Sequence, residues 1–149
     1  MAGDLSTDVM EASSRRSSCI TVAAEVNMTT THAQRKALGD FGERLAARHL
    51  TDAGMVLLDR NWRCNEGEID IVARDGDVIV VCEVKTRTSI RYGSAFEAIT
   101  PGKASRLHRL GYAWLRAHQA RYVAVRVDVI AITRPRRGHT EVEHIKGLV

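Results

Sequence analysis

Three carboxylates and one lysine alternate along two segments of the chain that have the pattern of neighbouring β-strands. Glu68 and Asp70 lie two residues apart in the first segment, and Glu83 and Lys85 lie two residues apart in the second. Because side chains alternate between the faces of a strand, each pair shares one face. Carboxylate oxygens are the ligands that Mg²⁺ and Mn²⁺ prefer, and a lysine beside them can orient water or balance phosphate charge. The pattern indicates metal-dependent hydrolysis of a phosphate ester; the alternative is an exposed strand end with solvated charges.

The dipeptide Asp75-Gly76 separates the two segments and predicts a tight β-hairpin. With these two residues at the centre of the turn, Glu68 faces Glu83, and Asp70 faces Val81 with Glu83 on its diagonal. Like charges that face each other destabilise a hairpin, and a bound divalent cation would offset that cost. A bulge of one residue would break this register.

The surrounding segments must supply the framework for these side chains. Thr100 followed by Pro101 predicts the start of a helix, with threonine as N-cap and proline at the first helical position. The hydrophobic pattern predicts a helix at 32–53, strands at 55–62, 68–73 and 78–86, the helix that starts at Pro101, a strand at 123–132 and a short strand at 140–145. This order predicts the α/β class, with a mixed sheet flanked by helices.

Asp128 interrupts an otherwise aliphatic segment, the predicted strand at 123–132. Carboxylates are rarely buried without a partner. The position therefore predicts either a buried ion pair with Arg126 or another structural role.

The first 30 residues differ from the rest of the chain. They are rich in Ser, Thr, Ala and Asp and have no sustained hydrophobic periodicity. We expect a disordered tail at 1–30 and one folded domain at 31–149. Met28 would itself be a plausible start of a protein, so residues 1–27 are expected to be dispensable.

Charge is distributed unevenly over the 149 residues, although the net charge is only +4. Residues 38–83 contain 10 acidic and 5 basic side chains, whereas residues 84–137 contain 2 acidic and 12 basic ones. An acidic stretch followed by a basic one could hold cations at one place and phosphates around it. The alternative is an ordinary solvated surface.

Several short motifs together resemble the uncharacterised YraN-like bacterial family. That family is related to Holliday-junction resolvases in the PD-(D/E)XK superfamily, which has the restriction-endonuclease-like fold. The resemblance covers about residues 36–133. The motifs that carry it are Gly42-Glu43, Asn61-Trp62-Arg63, Gly67-Glu68-Ile69-Asp70, Glu83-Val84-Lys85-Thr86-Arg87, Lys103 and Arg126-Val127-Asp128.

The resemblance implies a role for each matching residue of the site. Asp70 and Glu83 would hold the metal, and the backbone carbonyl of Val84 would be a third ligand. Lys85 would be the catalytic lysine, and Glu43 looks like an accessory acid from the first helix. The superfamily often has a proline before the aspartate, where this chain has an isoleucine, as the YraN-like family does.

Five basic residues follow or flank the predicted site and could track a phosphate backbone. For Arg106 and Arg109 the alternative is the solvent face of an amphipathic helix. The five are Arg63, Arg87, Lys103, Arg106 and Arg109. Glu68 stands in the family's G-E-I-D motif and is a further candidate metal ligand.

These observations predict a Mg²⁺- or Mn²⁺-dependent DNA endonuclease, with branched or otherwise structured DNA as a candidate substrate. The alternatives are a nucleic-acid-binding module on a nuclease fold and, third, an assembly subunit that binds an acidic protein. Resemblance to resolvases suggests a homodimer. No P-loop is present, so no nucleotide cofactor is expected, and the apolar runs are too short for a membrane span. We expect a cytoplasmic protein.

Overall fold

The computed structural model describes residues 31–89, 97, 99–122 and 124–148. The chain divides into two compact units, Met1–Ala37 and Leu38–Val149. Of the first unit the structure describes only residues 31–37, which are helical, and the rest of the fold concerns the second. The predicted tail at 1–30 lies outside the described residues. The tail and the domain boundary after residue 30 therefore stay predictions.

The described elements follow the predicted order. Residues 31–52 are helical (α1). The elements after α1 are β1 (Val56–Cys64), β2 (Gly67–Asp75), β3 (Val78–Arg87), α2 (Pro101–Ala117), β4 (Ala124–Thr133) and β5 (Glu141–Ile145). Thr100 caps α2, because its side-chain oxygen accepts a hydrogen bond from the Lys103 amide at 3.2 Å, and Pro101 occupies the first turn. The predicted start of this helix is confirmed.

The five strands form one sheet in the order β1-β2-β3-β4-β5. Neighbouring strands are antiparallel except β3 and β4, which are parallel. Parallel neighbours need a crossover connection, and α2 provides it. The first turn of α2 lies near the end of β3, where Lys103 contacts Glu83, and the helix leads back toward the start of β4. The architecture is α/β with a mixed sheet flanked by helices, as predicted, and it is consistent with a restriction-endonuclease-like fold.

The two faces of the sheet are covered by different helices, and each contact forms its own aliphatic core. On one face, Ala46 and Leu50 of α1 pack against strand residues such as Ile71, Cys82 and Ile130. On the other face, the described residues of α2 pack against a second set of strand residues. That cluster consists of Leu107, Leu110, Trp114, Ile69, Val72, Ile79, Val81, Val125 and Val127. Burial on both faces explains why β3 and β4 are almost continuously apolar.

The hairpin between β2 and β3 has a different register from the predicted one. Asp75 pairs with Val78, so the two central residues of the turn are Gly76 and Asp77, not Asp75 and Gly76. Gly76 has φ +63°, a left-handed value that glycine adopts freely and that suits the first central residue of a hairpin turn. Asp75 stays in the strand, where its carboxylate pairs with the Arg126 guanidinium at 3.0 Å.

This correction moves the pairing by two residues. The ladder runs to the pair Ile71–Cys82, so the next two positions are Asp70 and Glu83. The predictions that Glu68 faces Glu83 and that Asp70 faces Val81 are therefore wrong, and Val81 pairs with Val72. A shift of two residues leaves Glu83 and Lys85 on one face of β3, whereas a shift of one would have exchanged the faces. Along β2 the alternation breaks at Asp70, because Ile69 packs in the cluster of α2 and Ile71 in the cluster of α1.

Among the described residues, no helix combines the length and the apolar character that crossing a bilayer requires.

Candidate active site

Asp70 lies where the main-chain pairing of β2 with β3 ends. Its Oδ2 accepts a hydrogen bond of 2.8 Å from the Val84 amide, one residue beyond Glu83. The carboxylate therefore satisfies a main-chain donor of β3 just past the last ladder pair, Ile71–Cys82. This bond fixes the aspartate beside Glu83 and Val84, the residues that the sequence assigned to the metal site.

The carboxyl of Asp70 has a pKa raised to about 6. Burial is the main cause, and the negative charge of Glu83 adds to it. The hydrogen bond from Val84 acts in the opposite direction, and the charge of Glu43 raises the pKa further. The site therefore contains mutually repelling carboxylates, an arrangement that a bound cation would stabilise.

Glu83 is only 8% exposed, and two lysines neutralise it. Its Oε1 accepts a hydrogen bond from Lys103 Nζ at 2.7 Å and forms an ion pair with Lys85 Nζ at 2.9 Å. Burial alone would raise the pKa of Glu83, but the hydrogen bonds from the two lysines outweigh burial and lower it. The glutamate is thus ionised and held from two elements, β3 and the first turn of α2.

Lys85 is held in its charged form by the same contacts. Burial opposes its protonation, yet the hydrogen bond to Glu83 and the charge of that glutamate raise the pKa above the ordinary lysine value. In the protein as described, Lys85 is therefore a cation that can donate hydrogen bonds rather than a base that can take up a proton.

Two features bring Glu43 of α1 to this region: a hydrogen bond from Asn61 and a glycine at position 42. The side-chain amide of Asn61 donates a hydrogen bond of 3.2 Å to Glu43 Oε2. Asn61 lies opposite Asp70 in β1 and has φ +51°, a left-handed value that asparagine tolerates better than most residues. A Cβ on Gly42 would collide with the Thr86 side chain, so glycine lets α1 approach β3 closely.

Asn61 is a functional candidate to which the sequence analysis assigned no role, although it belongs to the motif Asn61-Trp62-Arg63. Its signal was its residue type, because asparagine inside a strand is uncommon and tolerates left-handed backbone. Its partner, however, is 18 residues away, and only the packing of α1 against the sheet brings the two together.

A cleft of about 820 Å³ lies beside these carboxylates, on the face that α2 covers. Glu68 lines the cleft, but its side chain is 59% exposed and pairs with the Arg63 guanidinium at 3.1 Å. The residues that line the cleft are Arg63, Cys64, Gly67, Glu68, Asp70, Glu83, Gly102, Lys103, Arg106, Leu107 and Leu110.

The predicted phosphate-contacting residues occupy three different environments. Arg63 and Arg106 line the cleft, and Arg106 donates hydrogen bonds of 2.9 and 3.3 Å to the Glu66 carbonyl in the β1–β2 turn. Lys103 also lines it but is bound to Glu83. Arg109 is exposed on α2, and Arg87 ends β3.

The donor set fits a magnesium-like cation with few protein ligands. In the described part of the chain, no group of three or more His, Cys, Asp or Glu side chains is positioned to hold a metal ion. Mg²⁺ commonly binds through one or two carboxylates and completes its octahedron with water and substrate phosphates. Asp70 and Glu83 could supply two such carboxylates. The roles of Val84 and Glu68 as ligands stay predictions.

Comparison with known proteins agrees with the motifs. The model of a family described as "uncharacterised protein family UPF0102" matches residues 42–132. A UPF0102 protein of a Nocardioides species is 55% identical over 114 residues, which are 76% of this chain and 92% of the relative. A UPF0102 protein of Kineococcus radiotolerans is 56% identical over 115 residues, 76% of this chain and 94% of that protein. A UPF0102 protein of Acidothermus cellulolyticus is 48% identical over 130 residues, 80% and 98% of the two chains.

Proposed function

The chain belongs to the uncharacterised protein family UPF0102, the YraN family, and we propose that it is a divalent-metal-dependent endonuclease that cleaves DNA phosphodiester bonds. One observation carries this proposal. The carboxylates of Asp70 and Glu83 lie side by side at the end of the β2–β3 ladder, with the Lys85 ammonium ion 2.9 Å from Glu83. Repelling acids beside a fixed cation are suited to phosphoryl chemistry.

Asp70 and Glu83 would hold Mg²⁺ or Mn²⁺, with Glu43 adding negative charge from α1. When bound, the cation would lower the pKa of water and neutralise charge on phosphate oxygens. The main-chain N–H of Val84 orients Asp70, and the side-chain amide of Asn61 orients Glu43. These hydrogen bonds reduce the rearrangement that metal binding would require.

Lys85 would act as a charged donor in the transition state. Because Glu83 holds its ammonium group protonated, the group can donate a hydrogen bond to a phosphate oxygen or to the attacking water. A lysine that is already a cation stabilises the charge that develops on phosphorus oxygens without a proton transfer of its own. Lys103 positions Glu83 from the first turn of α2.

The cleft offers a path for the substrate beside these groups. Arg63, Lys103 and Arg106 line it and carry positive charge toward a phosphate backbone. The proposal also includes branched DNA as the substrate, a role in repair or recombination and a homodimeric state. These three parts rest on the resemblance to resolvases.

A second candidate is a nucleic-acid-binding module without turnover. The observation that favours it is the double neutralisation of Glu83, since the ammonium groups of Lys85 and Lys103 both contact Oε1. In this case basic residues of the cleft would bind phosphates, and the carboxylates would keep the lysines in position.

Cleavage measured with the full-length protein separates the two candidates. The substrates are linear, flap and four-way DNA, each incubated with Mg²⁺, Mn²⁺ or EDTA. An endonuclease should cut only with metal, and Lys85→Ala should slow single-turnover cleavage by about 10²-fold with DNA affinity within a few-fold, because an electrostatic stabiliser is lost.

The matched control is Lys146→Ala, which removes an exposed lysine after β5 and should leave the rate unchanged. Metal-dependent cleavage that survives Lys85→Ala would remove this site from the reaction. DNA binding without any cleavage would favour the binding module.

A further inference from the structure

The loop between β4 and β5 carries a concentrated positive charge outside the cleft. Residues 134–140 include Arg134, Arg136 and Arg137 and no acidic residue, and all three arginines are exposed. The acidic residues Glu141 and Glu143 follow only in β5. None of the cleft-lining residues comes from this loop.

The first residue of the loop is fixed to the strand that carries the candidate site. The Arg134 amide donates a hydrogen bond of 2.7 Å to the Arg87 carbonyl at the end of β3. The Arg134 guanidinium lies over the Phe41 ring of α1, 4.1 Å from the ring centre. These two contacts define where the loop leaves the sheet.

The anchor point is close to Lys85. Arg87 follows Lys85 by two residues on β3, and a strand rises about 3.3 Å per residue, so their backbones are about 7 Å apart. β4 runs parallel to β3 and pairs Thr133 with Arg87, so β3 and β4 end together where the loop begins. Lys103, in the first turn of α2, lies near the same end and contacts Glu83.

We propose that the loop at 134–140 is a second phosphate-binding element, through which Arg136 and Arg137 contact the backbone of a nucleic acid held at the candidate active site. The inference rests on the proposed function and extends its binding surface. Basic groups then flank the end of β3 from two elements: α2 on one face of the sheet, and the β4–β5 loop, whose first residue packs on α1 of the other face.

The chemistry of the loop favours a nucleic acid over an acidic protein. Arginine binds phosphate oxygens through paired donors, and a polymer that carries one phosphate per nucleotide can reach two anchored patches at once. The test must therefore distinguish a loop that binds nucleic acid from a loop that binds an acidic protein.

The test is binding of duplex and four-way DNA in EDTA, measured by fluorescence anisotropy over a series of salt concentrations. Removal of two phosphate contacts should lower the slope of log affinity against log salt by roughly 2 and weaken binding roughly tenfold to a hundredfold at 0.1 M salt. We expect this result for the double substitution Arg136→Ala with Arg137→Ala.

The matched control is Arg116→Ala with Arg121→Ala, which removes the same charge. Both residues line a different shallow groove, and Arg116 lies 13 residues beyond Lys103 along α2, or about 20 Å. The control should leave the slope unchanged. Equal slopes for the wild type and the loop variant would overturn the proposal, and a loop that serves an acidic protein would give that result.

Failure of this inference and failure of the proposed function are distinguishable, because the binding measurement requires no cleavage. A reduced slope in a protein that never cuts DNA would support the loop as a binding element and reject the nuclease. Cleavage that depends on Lys85, together with an unchanged salt slope in the loop variant, would support the nuclease and reject the loop as a binding element.

Discussion

Two aspartates of the sheet, the fully buried Asp128 and the partly buried Asp70, have contrasting surroundings. Asp128 of β4 is 0% exposed and accepts hydrogen bonds from Arg126 Nε at 2.8 Å, Arg126 Nη2 at 3.0 Å, His144 Nε2 at 2.8 Å and the Gly147 amide at 3.0 Å. Asp70 of β2 accepts a hydrogen bond from the Val84 amide and lies beside the like charge of Glu83.

For this reason the pKa values of the two carboxyl groups shift in opposite directions. Burial would raise both pKa values, but the donors around Asp128 outweigh burial and lower its pKa. Around Asp70, burial and the charge of Glu83 raise the pKa to about 6. Asp128 is therefore satisfied by donors of the protein itself and stabilises the fold, whereas Asp70 has unbalanced negative charge that a ligand could satisfy.

The largest effect should come from Asp128→Asn. This change leaves Arg126 and the donors of His144 and Gly147 facing a neutral amide, so we expect a loss of about 3–5 kcal/mol in the free energy of unfolding. Chemical denaturation at pH 7 measures it. The control Asp75→Asn removes the other, more exposed partner of Arg126 and should cost about 1 kcal/mol or less. Equal losses for the two variants would show that burial does not decide the difference.

A smaller effect with the opposite sign is expected for Asp70→Asn. The amide oxygen can still accept the hydrogen bond from Val84, while the repulsion with Glu83 disappears. In EDTA at pH 7 to 8 the variant should therefore be more stable by about 1–2 kcal/mol, less than the full value of the pKa shift because the site is partly solvated.

The pH dependence gives the sign of this effect. Because the pKa of Asp70 is raised from 3.8 to about 6, the folded protein binds the proton more tightly than the unfolded chain. The wild type should thus lose stability as pH rises from about 4 to about 6, and the advantage of Asp70→Asn should vanish near pH 4. Thermal melts over this range test this pH dependence, and a variant that is less stable than the wild type at pH 7 would contradict it.

Mn²⁺ should raise the melting temperature of the wild type but not of the Asp70→Asn variant.

The smallest effect concerns the support of Glu43. Glycine at position 61 adopts the left-handed backbone freely but lacks the amide that holds Glu43. Asn61→Gly should weaken Mn²⁺ binding several-fold by calorimetry, with the free energy of unfolding changed by about 1 kcal/mol or less. Asn65→Gly, the same substitution in the β1–β2 turn, is the control. Unchanged Mn²⁺ affinity in Asn61→Gly would mean that this hydrogen bond does not serve the site.

Several features of the fold followed from local rules and were predictable. The cap at Thr100 and the proline after it determined where α2 begins. The period of two along β3 placed Glu83 and Lys85 on one face without knowledge of the exact turn, whereas along β2 the alternation breaks at Asp70. The turn itself was predicted one position too early, because the sequence did not show that Asp75 would remain in the strand to pair with Arg126.

The partners of the site residues were not predictable in the same way. The sequence made Lys103 and Arg106 candidates for phosphate contacts, and the structure adds their protein partners, which are Glu83 for Lys103 and the Glu66 carbonyl for Arg106. Glu68 was a further candidate metal ligand, and its carboxylate pairs with Arg63. The phosphate and metal roles stay predictions. Each of these contacts depends on how side chains of different elements pack, which periodicity does not encode.

Local patterns in the sequence predicted the order of the elements, the shared face of Glu83 and Lys85 on β3 and, as one of two alternatives, the ion pair of Asp128 with Arg126, which is confirmed. These follow from backbone geometry over a few residues, since positions two apart on a strand share a face. Tertiary structure alone decided that Asp128 is also bound by His144 and Gly147, that Asp70 binds the Val84 amide where the ladder ends, and that two lysines meet on Glu83. The donors that balance or fail to balance a buried charge come from distant parts of the chain, and only packing determines which of them arrive.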